Sequence, residues 1–302
     1  MAQGAGAARL SIGMVRTFAL SATLLLGACV SAPPPTAAPP PPHPIAKPER
    51  PNFILEGTAR QGGVLYGYAP SFARVVTING VAVPVASDGR FLIAFDRDAV
   101  PDATLDAELA DGTHVMRMLA VAAGDWRIEN VDASLTANVP SAEFQARRPA
   151  ELARIAASRN LNPQSDGWRQ AFIWPAKGRI SGLFGSQRIY RGTPGSYHSG
   201  VDVAAATGTP FVAPADGVVV LAAVDETFTL EGHLLIVDHG MGLSSAFLHC
   251  ASLAVKEGDL VRQGQVLGTV GATGRATGPH LHWGMKWHDA RLDPVRLTGP
   301  MP

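Results

Sequence analysis

The stretch Pro279-His280-Leu281-His282-Trp283-Gly284-Met285-Lys286-Trp287 decides how this chain is read. Its apolar residues recur with period two. Read as a strand, it puts Leu281, Trp283, Met285 and Trp287 on one face and His280 and His282 on the other. An apolar back with two imidazoles in front suits the wall of a metal cleft. His-x-His alone is a weak signal, because two satisfied surface histidines give the same pattern. Its weight depends on what accompanies it.

Two further segments do. His198-Ser199-Gly200-Val201-Asp202 places an imidazole four residues from a carboxylate. Catalytic zinc needs three protein ligands and a vacant position, and His198, Asp202 and one of His280 and His282 make such a set. His249 ends the apolar run Ala246-Phe247-Leu248, where a histidine has no evident core role. No His-Glu-x-x-His helix exists to supply a glutamate base, so proton transfer would fall to histidines.

His-x-x-x-Asp, a later His, then His-x-His, in that order, resembles the lysostaphin-type zinc metallopeptidases, which cleave peptidoglycan peptides. The surrounding text is similar too: Phe184-Gly185-Ser186-Gln187-Arg188, Ala213-Pro214-Ala215-Asp216-Gly217, Val237-Asp238-His239-Gly240 and Thr273-Gly274-Arg275-Ala276-Thr277-Gly278-Pro279-His280. The resemblance covers about residues 168 to 298. It implies one Zn2+ per chain on His198, Asp202 and His282. It also implies that His249 and His280 are catalytic residues flanking the metal, one as acid–base and one steadying the oxyanion, without saying which. One departure is Cys250, where the family usually has Leu; a buried core role is expected for it. His239 is expected in a turn, His233 and His288 on the surface, and Arg188, Tyr190 and Tyr197 along the substrate groove.

Outward from this segment the chain is expected to be all-β. Residues 168–302 form the β-rich peptidase domain, which the resemblance makes lysostaphin-like, a duplicated hybrid motif. Residues 52–136 carry short strand-like runs (Phe53-Ile54-Leu55, Val64-Leu65-Tyr66, Val75-Val76-Thr77, Phe91-Leu92-Ile93) and turn dipeptides at Asn79-Gly80, Asp88-Gly89 and Asp111-Gly112. These predict a small Ig-like β-sandwich without a catalytic cluster. Residues 137–167 are expected to be a helical connector, helical over 141–160, with Pro149 in the first turn and Leu152, Ile155 and Ala156 on one face.

The N-terminus sets the compartment. Arg9 and Arg16 precede an apolar run from Phe18 to Leu26, which closes on Leu26-Gly27-Ala28-Cys29. Residues 1–29 resemble a bacterial lipoprotein signal, implying lipidation of Cys29; residues 14–29 already form a complete signal, so Met14 is an alternative start. Residues 30–51 are Pro/Ala-rich and suit an extended tether reaching ~60 Å at ~3.1 Å per residue. The expected location is the periplasmic face of a membrane, the outer membrane being favoured by Val30 after the cysteine. With Cys29 acylated, Cys250 has no disulfide partner.

Composition narrows the partners. The 302 residues carry 25 Lys plus Arg against 25 Asp plus Glu, so no net field favours nucleic acid, and no basic run supplies one. The glycines from Gly268 to Gly278 lack Gly-Lys-Ser/Thr and run into a strand, against a phosphate loop. Expected partners are peptidoglycan stem peptides, a membrane through the lipid anchor, and regulatory cell-envelope proteins. The alternative is a catalytically silent activator of other wall hydrolases, a class marked by missing site histidines; here all five positions are filled. A carrier-domain reading of Val255 to Gln265 with Lys286 fails because Lys286 sits in the strand of His280 and His282, not at a hairpin tip.

Overall fold

Alternating burial builds the N-terminal half. In the strand Asp102–Leu109, Ala103, Leu105 and Ala107 are buried while Thr104 and Asp106 between them are more open, as a strand with one face in a core requires. The computed structural model of the protein describes residues 49–133 and 141–302. Cys29, the signal-like segment and the Pro/Ala-rich stretch up to residue 48 lie outside the described residues, as do residues 134–140 at the junction of the expected sandwich and connector.

Two small sheets occupy residues 54–120. One pairs Ile54–Glu56, Val64–Tyr68 and Arg90–Ala94; the other orders Val81–Ala82, Ala73–Ile78, Asp102–Leu109 and His114–Ala120. Leu65, Phe91 and Ile93 from the first share one buried cluster with Val76, Ile78 and Leu105 from the second. The hairpin between Ala73–Ile78 and Val81–Ala82 turns on Asn79 and Gly80, both at positive φ (49° and 78°), the conformation a two-residue type I′ turn requires.

The helix α1 spans Ala142–Arg159 and is capped by Ser141, whose hydroxyl accepts the Phe144 amide at 3.1 Å. Pro149 lies inside α1, not in its first turn. The cap at Ser141 starts the helix well upstream of Pro149, and Ala142 to Arg148 carry it to the proline. Ile155 packs on an apolar cluster that includes Leu234, Ile236 and Ala246. Leu152 is 49% exposed, so the expected apolar face is only partly covered.

Beside a smaller sheet of Pro210–Val212, Val266–Thr269 and Ser252–Leu253, the C-terminal half is built around an eight-stranded one. Its order is Leu260–Val261, Gly217–Phe228, Gly232–Gly240, Leu243–Leu248, His280–Trp287, Val201–Ala204 and Arg179–Gly182, with Ala290–Leu292 also paired to His280–Trp287. Leu281, Trp283, Met285 and Trp287 are buried, as period-two alternation predicts. The protein is mainly β, with few helical residues.

Residues 48–302 form one compact unit. The strand Ile128–Val131 pairs in parallel with Gln187–Tyr190, and one buried cluster holds both Phe91 and Trp283. Among the described residues, no helix is long and apolar enough to cross a membrane.

Candidate metal centre

Strand register brings the site together. Asp202 lies directly opposite His282 in the antiparallel pair of Val201–Ala204 with His280–Trp287, and Ala204 lies opposite His280. On the other side of that central strand, His282 faces Leu248, so His249 follows immediately at the strand's end. His249 adopts φ 64°, a left-handed conformation uncommon for a non-glycine residue and found disproportionately at functional sites.

Three donors converge. His198 Nε2 is 3.1 Å from Asp202 Oδ1 and 3.1 Å from His282 Nδ1, and His282 Nδ1 is 2.9 Å from Asp202 Oδ1. Tetrahedral zinc with bonds near ~2.0–2.1 Å sets its ligand atoms about 3.3 Å apart. Two imidazole nitrogens and a carboxylate oxygen at nearly that spacing fit such an ion. Burial opposes charge on Asp202, but hydrogen bonds and charge from His198 and His282 outweigh it and hold the carboxyl well below the usual range. For His198, burial disfavours the cation, yet Asp202 more than compensates and raises its pKa.

The other two histidines stand beside this cluster. The His249 and His280 rings are 4.9 Å apart, and His280 Nε2 is 3.7 Å from Asp202 Oδ1. His249 Nδ1 meets the Thr273 carbonyl and His280 Nδ1 the Gly278 carbonyl, each at 2.8 Å. A carbonyl only accepts, so both rings donate from Nδ1, which leaves Nε2 with a lone pair in the neutral form. His198 Nδ1 likewise donates to the Leu183 carbonyl at 3.1 Å, leaving Nε2 for a metal. Burial, with smaller contributions from His280 and His282, pushes His249 down to about 4.

Space around the donors is kept by glycine. A Cβ on Gly200 would stand 2.7 Å from His282 Nε2 and 2.5 Å from the Trp283 carbonyl oxygen, so the glycine of His198-Ser199-Gly200-Val201-Asp202 is a packing requirement.

Some residues sit elsewhere than expected. His239 is not in a turn: it lies in the strand Gly232–Gly240, fully buried, with Nδ1 on the Asp216 carbonyl and Nε2 on Ser245 Oγ, both at 2.8 Å. The strand runs on past the apolar residues through Asp238 and His239 to Gly240. Burial pushes its pKa down to about 4. His233 is half-buried and His288 exposed. Arg188 is engaged with Glu129 at 2.9 Å, and Tyr197 accepts from Arg291 at 3.0 Å; neither they nor Tyr190 line the cavity beside His282. Cys250 is buried, and its thiol is pushed up to about 12 by burial, so it is inert. The carbonyls of Leu183, Thr273 and Gly278 are site components that sequence reasoning missed, because any residue type can supply them.

A buried central sheet thus presents two histidines and an aspartate able to hold a metal ion, with two more histidines alongside. Residues 196–294, about a third of the chain, match the model of peptidase family M23. Among curated proteins, the chain is 37% identical over 105 residues to the DD-carboxypeptidase/endopeptidase Mpg of Neisseria meningitidis, covering 35% of this chain and 24% of that one. It is 34% identical over 133 residues to the peptidoglycan DD-endopeptidase ShyA of Vibrio cholerae, covering 44% and 30%. The cell division protein DipM of Caulobacter vibrioides is 37% identical over 130 residues, covering 43% and 20%. The chain thus spans less than a third of the length of these relatives. A crystal structure from Pseudomonas aeruginosa, named as a candidate M23 peptidase, superposes with TM-score 0.62 at 29% identity, covering 80% of this chain and 96% of that one.

Proposed function

We propose that the protein is a zinc-dependent endopeptidase that hydrolyses peptide crosslinks of peptidoglycan, acting outside the cytoplasm from a lipid anchor at Cys29. The observation that carries this reading is the convergence of His198 Nε2, Asp202 Oδ1 and His282 Nδ1 within about 3 Å of one another, beside His249 and His280. The substrate class is supported by relatives that are named peptidoglycan DD-endopeptidases.

His198, Asp202 and His282 would hold the metal. Bound zinc supplies Lewis acidity toward a carbonyl oxygen and acidifies water. One of His249 and His280, anchored through Nδ1, accepts the attacking water's proton at Nε2 and returns it to the leaving amine. The other would donate to the developing oxyanion through an N–H at Nε2. The buried apolar back of the strand His280–Trp287 keeps both histidines of that strand turned toward the site.

Bound zinc and muropeptide cleavage, measured on the same folded samples, test this. His282→Ala should lose metal and activity together. His280→Ala and His249→Ala should keep near-stoichiometric zinc and lose activity on the order of 10²-fold. If His280→Ala loses the metal while His282→Ala keeps it, the assignment is reversed. Zinc-loaded wild type that cuts nothing, yet stimulates a separate wall hydrolase, would establish a silent activator instead.

A further inference from the structure

Beside the metal centre lies a cavity of about 700 Å³ whose walls come from two parts of the chain. Its floor is the sheet face bearing His282, Gly284 and Lys286, which share one side of the strand by alternation. Its other wall is α1. Lys286 stands opposite Ser244 on one neighbouring strand and opposite Arg291 on the other. From α1, Arg159 reaches across to Ser244, Nη1 to Oγ 3.4 Å.

Arg159, Lys286 and Arg291 all line this cavity, and one Arg291 nitrogen is already given to the Tyr197 hydroxyl at 3.0 Å. Asp238 and Asp289 also line the cavity. Asp289 is fully exposed, with its carboxylate 3.6 Å from Lys286 Nζ. Asp238 is buried and accepts the Gly240 amide at 2.7 Å. Neither satisfies Arg159 fully, because its Nε is buried and has no hydrogen-bond partner. An orphaned guanidinium donor inside a polar cavity costs free energy unless a ligand takes the hydrogen bond. Burial and then the Arg291 charge push Arg159 down to about 10, against the pull of both aspartates. Burial and then Arg159 likewise lower Lys286. Around Lys286 the cavity holds more positive charge than these carboxylates relieve.

We propose that Arg159, Lys286 and Arg291 form a subsite for a free carboxylate of the peptide substrate. The proposal rests on the endopeptidase reading and adds what the cleft recognises. Arginine pairs with carboxylate through two parallel N–H groups, and the orphaned Nε is one of them. Lys286 is four residues along the strand from His282, roughly 13 Å at ~3.3 Å per residue. An extended peptide lying on this floor would therefore present the carboxylate about four residues from the bond being cut. Because Arg159 belongs to α1, the helix is part of the substrate cleft and not merely a connector.

The test compares three soluble crosslinked muropeptides: one with all carboxylates free, one amidated at the peptide C-terminus, and one amidated at the side-chain carboxylate. Binding is measured on the zinc-loaded full chain, together with steady-state cleavage. Amidation at the recognised position should weaken binding and raise KM by about 10-fold with little change in kcat, and the position that responds identifies the source of the carboxylate. In Lys286→Met and Arg159→Gln, acid and amide should bind alike. Equal binding of all three peptides to wild type would overturn the subsite, and so would either variant retaining the full discrimination. If a variant does not fold, the wild-type comparison still decides. If no peptide is cut, the endopeptidase reading fails, whereas the binding difference still decides whether the subsite exists.

Discussion

Arg97 donates to the Gly185 carbonyl through Nε at 3.2 Å and Nη2 at 3.1 Å, with only 7% of the residue exposed. The same Nη2 reaches Gln187 Oε1 at 3.0 Å, and the guanidinium lies 4.8 Å from the Tyr197 ring centre. Gly185 in turn donates to the His198 carbonyl at 2.8 Å, while His198 donates to the Ser186 carbonyl at 2.9 Å. A residue adjoining the N-terminal sheets thus braces the loop beside which a candidate metal ligand is held.

Arg97→Ala should cost about 3 kcal/mol, because it strips charged hydrogen bonds from a buried carbonyl. It should also weaken zinc, since the loop supplies the Leu183 carbonyl that orients His198. Arg97→Lys should recover part of both. Urea unfolding and competitive zinc titration read the two effects; a stability change below ~0.5 kcal/mol would show that the loop holds itself.

Gly200→Ala should lower zinc affinity by about 10-fold or more and cost about 1–3 kcal/mol, since the new methyl meets both the His282 ring and the Trp283 backbone. Chelator competition and urea unfolding measure these. Unaltered zinc binding would mean that the central strand yields more readily than its packing implies.

Asp238 and His239 should impose opposite pH slopes on stability. Burial raises the Asp238 carboxyl from 3.8 to about 6, so between these values the folded protein keeps a proton that the unfolded chain has released. Its contribution falls as pH rises, by about 3 kcal/mol across the window. Burial lowers His239 from 6.5 to about 4, so there the unfolded chain binds the extra proton and stability falls as pH drops. Wild type should be nearly flat between pH 4 and 6 with respect to this pair. Asp238→Asn removes one slope, and its unfolding free energy should decline toward pH 4 relative to wild type. Parallel profiles for the two proteins would show that Asp238 titrates normally in the fold.

Cys29→Ser should abolish acyl labelling and move the mature protein into the soluble extracytoplasmic fraction. Continued membrane association would remove the anchor from the proposal.

The period-two alternation of His280–Trp287 was legible because a half-buried strand must separate its faces, and four large apolar side chains mark one of them. The turns at Asn79-Gly80 and Asp88-Gly89 were legible because few residues tolerate positive φ. Pro149 misled, since a proline that a helix can accept in its first turn can also be carried mid-helix when an N-cap and tertiary packing hold both flanks. His239 misled because local text beside a glycine resembles a turn, while its burial depends on Asp216 and Ser245, which only the folded chain brings near. Arg97 gave no sequence signal at all, its partner being 88 residues away. Arg159 gave none either, because its importance lies in an absent hydrogen bond.

The pairing of Asp202 with His282 spans 80 residues of chain, and its second half lies on the last long strand. Any chain that stops short of residue 282 lacks one of the three converging donors. Pairing at such separation must overcome a larger loop-closure entropy than a local hairpin does. A polypeptide that has not yet grown past residue 282 therefore cannot assemble the three-donor cluster, whatever the rest of it has already folded into.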